Sequence, residues 1–140
     1  MKQIVIPDAS VILKWVLKTD EDYVEKALTL LSAWVAGETE IVVPSLWVYE
    51  VGNIVGTKNA ERAEETMALL LDYRFPEARI DAGHLMASLD LMRRHAVTFY
   101  DASYHAVAMK AGGTFVTADD AYVRRAGNAG HVVSLKDLAI

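Results

Sequence analysis

The sequence contains no cysteine. This absence excludes disulfides, thiolate metal sites and a cysteine nucleophile, and it suits a reducing cytoplasm. No stretch approaches the roughly 18 uninterrupted apolar residues of a transmembrane helix, so we expect no membrane span. The apolar run near the start is interrupted by Pro7, Asp8 and Lys14. Because no small-residue cleavage site follows that run, we expect no signal peptide.

Two further features are missing. There is no glycine-rich phosphate-binding loop of the Walker or dinucleotide type. There is no excess of basic residues either, since the formal net charge is −5, which argues against a protein that coats nucleic acid non-specifically. An enzyme acting on nucleic acid remains compatible with this charge, because its active site can hold acidic residues chelated by metal.

The sequence does contain enough apolar material for one folded domain. It has 140 residues, of which 53% are hydrophobic, and its mean hydropathy is +0.18. We therefore predict a single domain over residues 1–140, with ample material for a core.

Short apolar segments alternate with helical patterns along the chain. Strands are predicted at 3–7, 41–44, 79–82, 114–117 and 131–135. Helices are predicted at 11–17, 20–36, 46–56, 60–74, 83–95 and 101–110, and from 119 onward, with 98–100 as a short linker. Ser10 and Ser45 are predicted N-caps, whereas Gly37 and the Gly112-Gly113 pair end helices. This alternation predicts an α/β fold, with a mostly parallel central sheet and helices on both faces.

Acidic residues stand where the predicted elements begin and end. Asp8 follows the first strand, Asp119 and Asp120 follow the strand at 114–117, and Asp101 opens a helix. In parallel α/β folds, ligands bind beyond the carboxyl ends of the strands. Each acid taken alone also has an ordinary interpretation, because short acids cap helices and suit the positive helix end.

Glu50 differs from these acids because it lies inside a predicted helix, in the apolar segment SLWVYEVGNIV. Capping does not explain a carboxylate one turn beyond the cap, and burying it without a partner costs several kcal/mol. Asn53 is three residues further on and shares its face. The simpler interpretation is a partly exposed helix face whose apolar sides pack elsewhere.

Convergence of Asp8, Glu50, Asp101 and Asp119 would bring up to four negative charges into one pocket. Their repulsion would raise some of their pKa values. Mg²⁺ or Mn²⁺ would relieve it, since these cations prefer oxygen ligands; zinc is less favoured without cysteine or an HExxH pair. Such clusters serve phosphodiester cleavage, in which one metal lowers the pKa of the attacking water and a second stabilises the leaving oxygen.

Four segments together resemble a known family: IPDAS near the start, PSLWVYEVGN, YDASYHAVA and TADD. In this order and spacing they are similar to a PIN domain of the VapC type, the ribonuclease toxin of bacterial and archaeal toxin–antitoxin pairs. The resemblance runs from residue 4 to about 135. It implies a five-stranded parallel sheet, Mg²⁺- or Mn²⁺-dependent cleavage of RNA, a homodimer and a cognate antitoxin.

The resemblance also implies roles for individual residues. The acids of the family fall on Asp8, Glu50, Asp101 and Asp119. Its supporting polar residues fall on Ser10, Asn53 and Thr117. Asp120 is expected to cap the next helix or to bind a metal through water.

Other residues have two interpretations each. Lys14, Arg124 and Arg125 are candidates for contacts with RNA phosphates, although solvated faces are the commoner explanation. His105, one turn after Asp101, either faces the site or is packed. A groove that receives an antitoxin helix is implied by the resemblance, and its candidate residues, for which core is the alternative, are Tyr23, Leu30, Trp47, Tyr49 and Leu69.

The leading functional hypothesis is a metal-dependent endoribonuclease of the toxin type. The second is a catalytically silent PIN-like module that binds RNA or protein. A third is a metal-dependent phosphatase or phosphotransfer domain with Asp8 as the phosphorylated nucleophile, which usually has a second acid or a basic partner placed differently.

Overall fold

The computed structural model describes residues 1–18 and 22–140. Within them, four strands form one sheet: β1 (Gln3–Pro7), β2 (Thr39–Ile41), β3 (Thr114–Thr117) and β4 (Val132–Ser134). The strand order is β2-β1-β3-β4, and all three pairs are parallel. This arrangement confirms the predicted parallel sheet and places the carboxyl ends of β1 and β3 side by side.

Helices connect and cover the strands. The described residues form α1 (Ala9–Val16), α2 (Val24–Val35), α3 (Leu46–Lys58), α4 (Ala63–Asp72), α5 (Ala82–His95), α6 (Phe99–Ala111) and α7 (Asp120–Ala126), with short 3-10 turns at Ala60–Arg62, Gly127–Ala129 and Leu135–Asp137. None of the helices in this part of the chain is long and apolar enough to cross a membrane.

The alternation of side chains along the strands separates the core into two layers. Val5 and Val116 belong to a cluster with residues of α1 and α2, whereas Ile6 and Phe115 belong to a larger cluster that includes Tyr104 of α6. Successive side chains of a strand point to opposite faces of the sheet. The helices therefore lie on both faces, as the sequence predicts.

The fifth strand, implied by the resemblance and predicted at 79–82, is absent from the described residues. Instead, Glu77 forms an isolated parallel bridge with Val43. The Val43 N–H donates to the Pro76 carbonyl, and the Ala78 N–H donates to the Val43 carbonyl. The predicted strand fails because residues 79–82 are exposed and bury neither face, so pairing stops after one bridge.

Several helix starts also differ from prediction. Asp8, not Ser10, caps α1, and Thr98 caps α6, so the predicted linker at 98–100 is already the start of a helix. Ser45 stands at the start of α3 but its side chain makes no capping hydrogen bond. The predicted start of the second helix at Asp20 lies outside the described residues.

Other boundaries differ because local geometry overrides the pattern. α3 continues through Gly56 to Lys58, and the predicted helix at 60–74 is a 3-10 turn followed by α4. The strands predicted at 41–44 and 131–135 are shifted or shortened to β2 and β4. These changes leave the order of the elements intact, apart from the missing strand.

The glycine pair after α6 ends that helix as predicted. Gly112 has a φ of +67° and is the C-cap of α6. A Cβ atom at Gly113 would lie 2.7 Å from the carbonyl oxygen of Ile4. Only glycine therefore lets the chain pass this close to β1 on its way into β3.

Candidate metal centre

Asp8 lies directly after β1 and caps α1. Its Oδ1 accepts hydrogen bonds from the backbone N–H groups of Ser10 (3.0 Å) and Val11 (3.3 Å) and from the Ser10 hydroxyl. The residue is buried, with 6% of its surface exposed. Burial raises the pKa of Asp8 to about 6, although the hydrogen bonds that the carboxylate accepts oppose the rise. The helix cap and the candidate ligand are thus the same side chain.

Glu50 lies on α3 and is half-buried. The hydroxyl of Tyr104 donates a hydrogen bond of 2.7 Å to its Oε1. Burial raises the pKa of Glu50; the Tyr104 hydrogen bond opposes this rise, and the charge of Asp101 adds to it. The protein partner of this carboxylate is therefore a neutral phenol.

Asp101 lies in the first turn of α6, where its N–H donates to the Thr98 hydroxyl oxygen at 3.2 Å. Burial raises the pKa of Asp101, and the charge of Asp119 raises it further. The charge of Asp101 in turn raises the pKa values of Asp8 and Glu50. The carboxylate of Asp101 is therefore the one that interacts electrostatically with each of the other three acids.

Asp119 follows β3 and caps α7. Its Oδ1 accepts hydrogen bonds from the N–H groups of Ala121 (3.0 Å) and Tyr122 (3.2 Å). Its own N–H donates to the Thr117 hydroxyl oxygen at 3.0 Å. The first turn of α7 and the end of β3 thereby fix this carboxylate.

Two hydroxyl groups join the neighbouring ends of β1 and β3. The Ser10 hydroxyl donates to Asp8 and accepts from the Ala118 N–H at 2.9 Å. It lies 3.5 Å from the Thr117 hydroxyl, which also lowers the pKa of Asp8. Ser10 and Thr117 thus act on the carboxylate of Asp8, and the supporting role that the resemblance implies for them stays a prediction.

The four acids act on one another's charge without forming a compact cluster. Within residues 1–18 and 22–140, no three histidine, aspartate or glutamate side chains lie close enough together for a ready-made metal site. The two observations agree because charge acts over longer distances than a coordinate bond. Carboxylates whose repulsion is not offset are not expected to be in contact.

The donor set nevertheless fits a hard divalent cation. In Glu50 and Asp119, the hydrogen bonds that the side chains accept from the described residues fall on one carboxylate oxygen, Oε1 or Oδ1. The second oxygen of each is left for another ligand. Mg²⁺ and Mn²⁺ prefer such oxygen ligands, and a cation would offset the repulsion.

Asp120 turns away from the other acids. Its carboxylate accepts hydrogen bonds from the Ser134 hydroxyl (2.6 Å) and from Lys136 (3.4 Å). These contacts, the Ser134 bond foremost, hold the pKa of Asp120 below its usual range. The predicted capping role belongs to Asp119 instead.

Asn53 is exposed on α3, and its side chain makes no hydrogen bond within the described residues. Sharing a helix face with Glu50 does not bring it into contact with the acids. Its supporting role therefore stays a prediction.

The three predicted basic residues differ in exposure. Lys14 is buried and lines a cavity of about 480 Å³ with Tyr23, Ala118 and Lys136. Arg124 and Arg125 are exposed in the last turn of α7, and Arg125 donates to the Ala96 carbonyl at 3.4 Å.

His105 is fully buried and does not face the acids. Its Nδ1 lies 2.7 Å from the Tyr122 hydroxyl and its Nε2 lies 2.7 Å from the Gly130 carbonyl oxygen. A carbonyl only accepts, so Nε2 carries the proton and Nδ1 accepts from Tyr122. Burial lowers the pKa of His105, which is the behaviour of a neutral packed histidine.

The candidate groove residues divide between core and surface. Leu30 and Trp47 are buried, whereas Tyr23, Tyr49 and Leu69 are exposed. Leu69 lines a cavity of about 690 Å³ beside the end of α1. Two of the five residues are therefore core rather than groove.

Tyr104 is the residue near the acids that sequence reasoning missed. It lies three residues after Asp101 on the same helix, so the two side chains share a face. That spacing was a usable signal, but a tyrosine in an apolar helix ordinarily indicates core.

A family model described as the PIN domain matches residues 5–128. This range contains all four candidate acids. A search of curated protein sequences gave no significant match.

Solved structures of low sequence identity share the fold. A toxin–antitoxin complex from Klebsiella pneumoniae has a TM-score of 0.70 at 17% identity, with 96% of this chain and 99% of that chain covered. VapC20 from Mycobacterium tuberculosis is described as a sarcin–ricin loop cleaving toxin. Its TM-score is 0.66 at 17% sequence identity, with 91% of this chain and 96% of that chain covered. VapBC2 from Rickettsia felis, bound to a promoter DNA fragment, has a TM-score of 0.66 at 16% sequence identity, with 94% of this chain and 97% of that chain covered.

Proposed function

Because the chain belongs to the PIN domain family, we propose that it is a metal-dependent endoribonuclease and the toxin of a toxin–antitoxin pair of the VapBC type. Nucleases of this family are hydrolases that act on nucleic acids. The proposal adds to that family property an RNA substrate, Mg²⁺ or Mn²⁺, and a named set of residues.

One observation carries the site assignment: Asp8, Glu50, Asp101 and Asp119 come from four separate elements and are linked through the charge of Asp101. Helix capping explains the positions of Asp8 and Asp119 but not the effect of the Asp101 charge on Asp8 and Glu50, or of the Asp119 charge on Asp101. A pocket of this charge would repel a phosphodiester, so the proposed cation also makes substrate binding possible.

The four acids would hold one or two divalent cations, which lower the pKa of an attacking water and neutralise charge on the phosphodiester. Ser10 and Thr117 favour the ionised form of Asp8 against burial. Asp119 is held by the first turn of α7. Because these groups lie at element ends or on helices, they present oxygen ligands at fixed positions.

The exposed Arg124 and Arg125 are proposed to contact RNA phosphates, since they follow Asp119 within one short helix. Lys14 follows Asp8 on α1 but is buried, so the proposal does not include the contact with RNA that the sequence suggested for it. Binding through such contacts weakens as salt is raised. Replacing Arg124 and Arg125 with alanine should therefore weaken RNA binding and reduce its dependence on salt.

Two protein partners complete the proposal. The complexes from Klebsiella pneumoniae and Rickettsia felis contain an antitoxin or the VapBC2 pair, and the cavity beside Leu69 is our candidate for the antitoxin helix. A homodimer would use the exposed apolar face of α5, which includes Leu85, Met86 and Leu89. Because the proposed substrate is RNA, we place the activity in the cytoplasm.

The test is RNA cleavage by the purified protein with Mg²⁺ or Mn²⁺, with and without chelator. Asp8→Asn is the decisive variant, since asparagine also caps helices and the fold should survive. Asp90→Asn is the matched control, because Asp90 is paired with Arg93 and Arg94 on α5. We expect cation-dependent cleavage that is lost in Asp8→Asn and retained in Asp90→Asn.

The products provide a second criterion. Hydrolysis by water leaves no cyclic phosphate, whereas attack by the ribose hydroxyl forms one. Full activity of Asp8→Asn would refute the site assignment. RNA binding without turnover under any divalent cation would instead support the catalytically silent binding module, and a trapped phosphate on Asp8 would support phosphotransfer.

A further inference from the structure

The Tyr104 hydroxyl is a buried polar group that the proposed chemistry does not use. Tyr104 has no exposed surface. Its ring is stacked on Phe115 of β3, with centroids 5.8 Å apart and planes inclined by 14°. The hydroxyl therefore has a fixed position, from which it donates the 2.7 Å hydrogen bond to Glu50 Oε1.

We infer that Tyr104 is a positioning residue, whose hydroxyl holds one oxygen of Glu50 and leaves Oε2 for a divalent cation. This inference rests on the proposed metal site. Oε2 accepts no hydrogen bond from the described residues, so the two oxygens of this carboxylate have different environments.

A glutamate side chain on a helix has several rotamers, and a ligand that must be ordered on binding loses affinity. A rigid donor removes part of that cost before the cation arrives. Residues that orient metal ligands in this way typically change metal affinity or activity by about 10- to 100-fold when they are replaced.

The chemical nature of the donor matters as much as its position. A lysine or arginine at this place would neutralise Glu50 and compete with the cation. A phenol donates one hydrogen bond and leaves the negative charge in place. A phenol is ordinarily protonated at neutral pH, so the Tyr104 hydroxyl acts as a neutral hydrogen-bond donor to Glu50.

The test measures Mn²⁺ binding to the full chain without RNA, by the loss of the free Mn²⁺ signal in electron paramagnetic resonance. Tyr104→Phe should weaken Mn²⁺ binding by about 10-fold. Phenylalanine keeps the ring against Phe115, so the fold should survive. The fold is verified by thermal unfolding in chelator.

Tyr122→Phe is the matched control. Tyr122 is also buried, and its hydroxyl bonds to His105 rather than to a carboxylate. Its loss should lower stability without changing Mn²⁺ affinity. An equal loss of Mn²⁺ affinity in both variants would overturn the inference, because a general loosening of the core would then be the cause.

A double-mutant cycle shows whether Tyr104 acts through Glu50. In a Glu50→Gln background, adding Tyr104→Phe should weaken Mn²⁺ binding no further. Additive losses would overturn the inference. A second variant, Glu50→Asp, keeps the charge but withdraws it from the hydroxyl, so unchanged Mn²⁺ affinity in it would also contradict a positioning role.

Two patterns of result separate this inference from the proposed function. Normal Mn²⁺ binding by Tyr104→Phe, with weakened binding by Asp8→Asn and Glu50→Gln, overturns the role of Tyr104 alone. Normal Mn²⁺ binding by all three variants overturns the metal site itself. As a further readout, high Mn²⁺ should restore RNA cleavage by Tyr104→Phe, with an unchanged KM for RNA.

Discussion

Two sets of carboxylates in this protein have opposite electrostatic environments. Asp8, Glu50 and Asp101 are buried or half-buried, and the charges that act on them are those of other acids. Asp90, on α5, has a side chain that is 45% exposed and pairs with Arg93 and Arg94, whose hydrogen bonds and charges lower its pKa. The partners of Asp90 are cationic arginine side chains, whereas those of the first set are neutral hydroxyl and backbone N–H donors.

This difference teaches how the acids that we propose as metal ligands differ from an acid in a surface ion pair. A surface ion pair is complete within the chain and contributes little to stability. Carboxylates whose pKa values are raised by burial and by each other lower stability unless something outside the chain offsets the charge. The first set is therefore where a bound cation would have the larger effect.

The largest expected effect is on catalysis. Asp101→Asn should reduce Mn²⁺-dependent RNA cleavage by about 100- to 1,000-fold or more, because Asp101 links the charges of the other three acids. Initial rates at saturating Mn²⁺ measure it, with Asp90→Asn as the control. Equal activities of the two variants would remove the distinction between the two sets.

The second effect is on stability without metal. The pKa of Asp8 in the folded protein is about 6, against an ordinary value of 3.8, so the folded state favours protonated Asp8. That contribution to stability is fully present below about pH 3.8 and is lost as pH rises through about 6. The pKa difference corresponds to about 3 kcal/mol.

Asp8→Asn should accordingly be more stable than the parent protein at pH 8 in chelator, by about 1–3 kcal/mol. The gain should shrink as pH falls through about 6, where the parent carboxylate becomes protonated. Urea unfolding at several pH values measures this difference, and the acid sensitivity of His105 cancels because both proteins contain it. A loss of stability at pH 8 would contradict the prediction.

A smaller change of the same sign is expected for Glu50→Gln. Glu50 is half-buried, so solvent screens its charge more than that of Asp8. Glutamine keeps an oxygen that can accept from Tyr104, so the fold should survive while Mn²⁺ binding is weakened and cleavage is lost. Unfolding in chelator, compared with unfolding in Mn²⁺, measures both consequences. Retained Mn²⁺ binding would remove Glu50 from the site.

The smallest effect, of opposite sign, is expected for Asp90→Asn. The pKa of Asp90 is lowered in the folded state, so its contribution to stability is present above its ordinary value and is lost as pH falls. The substitution should slightly lower the thermal midpoint at pH 7 and leave cleavage unchanged. A rise in the midpoint would show that the two sets do not differ as described.

The parallel sheet and the order of its elements were predictable because short apolar runs alternate with helical patterns. The strand at 114–117 was predicted to the residue, since TFVT consists of β-branched and aromatic residues and follows Gly113. The strand at 79–82 was wrong because nothing covers its side chains. Burial, and not local propensity, decided between the two.

The candidate acids could also be identified from the sequence, but their contacts with distant residues could not. Asp8 and Asp119 were recognisable from their places after strands, and capping was one interpretation of each, which the structure bears out. The Tyr104–Glu50 contact joins residues 54 positions apart. Periodicity within one helix carries no information about such a pair.

The helix caps formed by Asp8 and Asp119 have a consequence for how this protein can change over generations. Asparagine caps a helix about as well as aspartate does, so replacing either acid by its amide should abolish the proposed activity and preserve the structure. If the proposed nuclease activity harms the cell, a single substitution of this kind could therefore remove the activity without unfolding the protein. An inactive variant would then persist as a folded protein that could still bind the proposed antitoxin.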